Sequence, residues 1–343
     1  MTDYDLSGLS DALPRQAAEI LEEMGIPQAD FSGLFRVSFQ DIVQTVFGVF
    51  RGGLREPLTF LSAGVGVMLL SSLFSALGKQ DGKTAQTRTF LGSLFLITVC
   101  AVPLHGIVSD AVAALQTCGA FVCALIPVLA AVIAAAGNPV LSVIWQTTVF
   151  SAAQTIAAAA AGFMAPCCGL MLGVGVLDSL LPQSGFGELA GRIKKTAVWI
   201  FSAMATLFTA FLSLKGILAG AADTLAAKGV KLAVSSFIPV VGAQLSEAYA
   251  AVVGSLAAVR ATAGVFAIAA LAAVMLPTIA QLLLWLAALK ALAWISQMLG
   301  QKSADTLFSS FSAAVSILHA CLLFVAVLFI LCLGIILTIK AGV

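Results

Sequence analysis

The feature that most constrains this chain is the recurrence of apolar runs close to 20 residues long. They cover 58–78, 89–108, 112–136, 140–162, 164–182, 197–219, 261–289 and 313–339. About 20 apolar residues in a helix cross a bilayer core. In lipid a helix satisfies its own backbone amides, which an isolated strand cannot do. The runs therefore predict an all-α, polytopic integral membrane protein with about eight spans. Composition agrees: hydrophobic residues make up 61% and charged residues 10%, against about 45–50% and about 25% in soluble domains. A soluble two-domain protein of this length could not cover its surface with polar groups.

Charge divides the chain. Residues 1–56 hold nine acids against four arginines, whereas the remainder is weakly basic. This predicts an acidic helical region, 1–56, attached to a membrane domain, 57–343. Met1 is followed by Thr2, Asp3, Tyr4 and Asp5, the wrong charge for the start of a signal peptide. Two amphipathic helices are expected within 1–56. Asp11 can cap the first, and Leu13, Ala17, Ile20, Leu21 and Met24 recur along it at helical spacing before Gly25 and Pro27. The second carries a stripe from Phe31 to Phe50. That stripe suits a bilayer surface, a partner, or the rest of this protein.

Short basic loops set the orientation. Lys79, Lys83 and Arg88 mark the 79–88 loop, and Arg192, Lys194 and Lys195 mark the 183–196 loop. Both are expected in the cytoplasm, with the acidic N-terminal region outside. After residue 219 two topologies remain. If 232–258 only dips into the bilayer, Lys290 and Lys302 are inside; if it crosses, Arg260 and Lys340 are inside.

The 232–258 segment is unlike the other runs. It holds Pro239, Gly242 and Glu247, and proline removes a backbone donor and kinks or breaks a helix. Pro103, Pro127, Pro166 and Pro277 fall inside other apolar runs in the same way. A charge at mid-membrane costs at least about 2.5–3.5 kcal/mol, so it faces a partner, a cavity or an interface. Lys215, Asp223, Glu247 and Arg260 lie within or beside apolar runs, as does Asp178. A broken helix beside Glu247 has the shape of a transporter's midplane site, and equally of a docking element.

Other motifs carry less. Gly78 to Thr84 imitates a phosphate-binding loop, but Leu77 occupies the position of its first glycine. Gly185 to Ala190 imitates a dinucleotide fingerprint without a preceding strand. His105 and His319 have no acid three or four residues away. No metal, cofactor or catalytic group is therefore expected, and no basic patch suggests nucleic acid. The seven cysteines all lie in apolar stretches, as small packing residues rather than a disulfide framework. Gly169-xxx-Gly173 and Gly216-xxx-Gly220 suggest close helix approach.

The run from Lys231 to Gly264 resembles the signature region of the stage III sporulation protein AE family. The matching residues are Lys231, Phe237 to Gly242, Leu245 to Ala248, Val253-Gly254 and Gly264. Lys215-Gly216, Asp223, Pro127 and the Ala136 to Pro139 turn fit the same pattern, and Ser246-Glu247 stands where Ser-Asp is commoner. The resemblance, over roughly 58–340, implies a protein of endospore-forming bacteria that acts during engulfment. It implies a place in the mother-cell membrane around the forespore, in the stage III assembly AA to AH, which meets the forespore stage II protein Q. In that assembly the protein would be an export-gate or platform subunit. Lys215, Asp223, Lys231, Pro239, Gly242, Glu247, Gly254 and Arg260 are then candidates for function or assembly. The competing reading is an autonomous secondary transporter; a membrane-embedded enzyme lacks any paired catalytic group.

Overall fold

A computed structural model describes residues 13–24, 39–77, 82–135, 138–181, 189, 191–200, scattered positions from 202 to 214, and 242–338. These residues are helical apart from turns. We label the helices α1 (Arg15–Glu23), α2 (Phe39–Gly53), α3 (Arg55–Leu77), α4 (Gly82–Ala135), α5 (Pro139–Ala159), α6 (Ala165–Leu180), α7 (Gly242–Met298) and α8 (Lys302–Thr338).

The apolar runs appear in the helices, but they are joined differently from the expectation. The runs 89–108 and 112–136 form one uninterrupted helix, α4, through Ser109, Asp110 and Ala111. Pro103 and Pro127 sit inside it, and Pro277 sits inside α7, without ending either helix. Nothing at 109–111 supplies a turn, so the cost of the missing proline donors is borne within a helix that packing holds on several sides. The runs 140–162 and 164–182 are likewise continuous. A π-turn, Ala160–Met164, joins α5 to α6. Pro166 explains it: its ring clashes with a carbonyl four residues back, and a wider turn relieves the clash without breaking the helix. Among the described residues, five helices are long and apolar enough to cross a membrane: Gln40–Phe74, Phe90–Ala135, Gly162–Leu180, Ala263–Met298 and Lys302–Gly334.

These helices pack as antiparallel hairpins. The α4–α5 turn is set by Asn138 and Pro139, with Pro139 opening the helix where its missing N–H costs nothing. Beyond the turn the Ser142 hydroxyl donates to the Ala130 carbonyl at 2.6 Å. The Cβ position of Gly119 lies 3.9 Å from the Ala153 carbonyl oxygen. The α7–α8 hairpin is the most extensive pairing. Its turn uses Gly300 at φ 69°, a left-handed conformation that favours glycine. Leu299, Gly300 and Gln301 N–H groups donate to the Ile295, Gln297 and Ser296 carbonyls, closing the end of α7.

Helix α3 runs alongside α7 in the same direction. Phe60 and Trp285 rings lie 5.1 Å apart, and Cβ positions on Gly53 and Gly64 would meet Leu284 and Leu292 at 3.2 and 2.9 Å. Helix α2 leads into α3 with a single turn residue, Leu54, between them. Helices α1 and α2 both pack on α7, and α1 buries Ala17, Ile20 and Leu21 in the common core. Pro14 stands at the start of α1 without a side-chain cap; Asp11 lies outside the described residues.

Helices α4 and α7 contain 54 and 57 residues. At 1.5 Å per residue each is roughly 80–85 Å long, more than a single crossing of a core about 30 Å thick requires. Tilt, curvature and projection beyond the lipid are the ways such an excess is accommodated.

Candidate functional site

Four of the eight candidate residues, Lys215, Asp223, Lys231 and Pro239, lie outside the described residues. The other four stand on the first five turns of α7. Gly242 opens the helix, and Glu247, Gly254 and Arg260 follow. The described part of the 232–258 segment is therefore continuous helix, joined without a break to the 261–289 run. The structure thus places these four on one element, and the expected break at Pro239 lies outside the described residues.

Charge elsewhere is sparse. Asp178 on α6 is 7% exposed. Glu56 accepts a long hydrogen bond, 3.5 Å, from Gln281. No group of three His, Cys, Asp or Glu side chains is placed to hold a metal among the described residues. All seven cysteines are free, and six of them are buried. They pack between helices as small apolar side chains, which their sequence context suggests.

The glycine motif departs from its expected role. Cβ atoms added at Gly169 and Gly173 would meet nothing within 4 Å. Both glycines instead line a cavity of about 390 Å³ with His105 and Phe311. Close approach occurs at a glycine outside the motif: a Cβ at Gly175 would lie 2.6 Å from that of Ser310.

Three turns of the chain meet at one end of the bundle. Ser71, Gly92, Gly300 and Lys302 line one cavity there. Gly175, near the end of α6, touches Ser310, about two turns from the start of α8. The ends of α3, α6 and α7 therefore lie together. The connections that follow α3 and α6 carry Lys79, Lys83, Arg192, Lys194 and Lys195. The opposite end holds the α4–α5 turn, the start of α7 and the end of α8.

Comparison with known proteins places this architecture. The family model of stage III sporulation protein AE matches residues 25–340. Stage III sporulation protein AE of Bacillus subtilis (strain 168) is 23% identical over 312 residues, covering 91% of this chain and 76% of the relative. No solved structure matches the chain.

Proposed function

The chain belongs to the stage III sporulation protein AE family, and from that premise we propose that it is the gate or platform subunit of the stage III sporulation channel complex. It is a multi-helix membrane protein of the sporulation system. Its place is the mother-cell membrane around the forespore, within the AA to AH assembly, which contacts the forespore stage II protein Q. The basic end of the bundle faces the cytoplasm, and residues 1–56 lie outside.

The observation that carries this reading is the match across residues 25–340, which includes the whole Lys231 to Gly264 run. The surface of the bundle supports a subunit of an assembly. Large apolar side chains such as Phe47, Phe74, Val102 and Trp199 are exposed on the single chain. Lipid and neighbouring subunits are what such side chains contact in a membrane assembly.

Replacing Glu247 with Gln tests the role of the α7 start. In sporulating cells the E247Q chain is expected to lose association with its partner subunits at normal membrane levels. Full association together with loss of solute flux by the purified protein in liposomes would instead support the transporter reading.

A further inference from the structure

Along α3, Val67, Leu70, Ser71 and Phe74 recur at helical spacing and share one face. Along α4, Leu91, Gly92 and Phe95 do the same, and Arg88 stands one turn earlier on that face. The two faces meet. A Cβ added at Gly92 would lie 2.6 Å from Ser71 Oγ, so the helices touch there and the contact forms the floor of a groove. The bulkier side chains flank it and bound a cavity of about 340 Å³.

The walls are apolar and open sideways. Leu70 and Phe74 are 58% and 69% exposed, and Leu91 and Phe95 are 48% and 65% exposed. Helix α3 also belongs to the least enclosed of the five candidate spans among the described residues. The apolar window of that span is 22% buried, against 41–56% in the other four. The groove therefore lies on the lateral surface of the bundle.

Size and charge together select its occupant. One turn of helix with its side chains, 10–12 Å across and 5.4 Å long, fills about 400 Å³ or more. A helix from another protein would rest on the rim, whereas a single hydrocarbon chain enters. From Val67 to Phe74 the groove runs about 10 Å along α3, shorter than one leaflet of a core about 30 Å thick. It opens at the basic end of the bundle. Helix α3 stops there at Leu77, α4 carries Arg88, and the sequence between adds Lys79 and Lys83 against Asp81.

We propose that this groove binds one acyl chain of an anionic phospholipid, with the headgroup level with Arg88. Burial of the chain between the Phe74 and Phe95 rings supplies attraction, and the basic end selects the headgroup by charge. Such a site requires only a membrane around the bundle and does not depend on the partners of the chain.

Native mass spectrometry of the full chain in detergent tests this, with phosphatidylglycerol and phosphatidylcholine of identical acyl chains as probes. Phosphatidylglycerol is expected to be retained in preference to phosphatidylcholine, and R88Q should reduce that preference about fivefold, the worth of one basic residue at an anionic surface. L91W, which fills the groove from an exposed position, should lose retention of both lipids. Thermal unfolding reports whether L91W remains folded, and R88Q reads the headgroup preference even where it does not. In native membranes a photoreactive residue in place of Phe95 should cross-link to phospholipid. A cross-link to a second copy or to another polypeptide instead would show that protein covers the groove and overturn the proposal. Equal retention of the two lipids by the unmodified chain, a preference unchanged in R88Q, or folded L91W that binds as the unmodified chain does would also overturn it.

Discussion

The indole Nε1 of Trp145 donates to the main-chain carbonyl oxygen of Cys332 at 2.9 Å, tying α5 to α8 across 187 residues of sequence. Both residues are buried. Trp285 offers the contrast: its Nε1 is buried with no partner among the described residues. A donor that is bonded and one that is orphaned should respond in opposite ways to removal. Trp145→Phe is expected to destabilise by about 1 kcal/mol, whereas Trp285→Phe, which keeps the ring contact with Phe60, is neutral or stabilising. Denaturant unfolding in mixed micelles reads both. Equal losses would refute the assignment of the two indoles.

The glycines of α6 give a second test. At Gly175 a methyl group meets the Cβ of Ser310, an atom fixed to the backbone, so α6 and α8 must separate. Gly175→Ala is expected to cost about 1–3 kcal/mol, with recovery in the Gly175→Ala, Ser310→Gly double variant. Gly169→Ala and Gly173→Ala meet open space and should gain up to about 1 kcal/mol from helix propensity. Thermal unfolding of the set would show the reverse order if Gly169 and Gly173 formed the packing face.

Gly300 supports the α7–α8 hairpin by its conformation. At φ 69°, Gly300→Ala is expected to cost about 1–2 kcal/mol, and Gly300→Asn less, because Asn tolerates the left-handed region. Identical stabilities for the two variants would argue against this turn geometry.

Orientation is open to cysteine labelling. On a background lacking the native cysteines, Ala85→Cys and Glu188→Cys are expected to react only when reagent reaches the cytoplasm. Glu19→Cys, on the exposed face of α1, should react from outside in intact cells. Reversed accessibility would invert the arrangement proposed here.

Much of the fold is legible in the sequence because apolar run length is a local property. The run 58–78 appears as α3, and Gly137-Asn138-Pro139 reads as the turn that separates α4 from α5. Continuity is not local in that way. Two adjacent apolar runs look alike whether a turn or a helical residue separates them, so Ser109-Asp110 was expected between two spans and lies within one helix. Proline misleads for a related reason. Its intrinsic cost is fixed, but a helix packed on several sides tolerates Pro103, and a π-turn absorbs Pro166. The glycine motif at Gly169 and Gly173 marks a small-residue face without saying whether a helix lies against it. The lone Gly175, which does carry a contact, has no motif at all.

We propose that this chain works as a subunit of the stage III assembly. The most direct measurement is purification of the tagged full-length chain from sporulating cells in mild detergent, with identification of the proteins that accompany it. Other stage III membrane proteins are expected in stable proportion, and the chain alone should support no solute flux in liposomes. Recovery of the chain without partners, together with substrate-dependent flux by the isolated protein, would contradict the account.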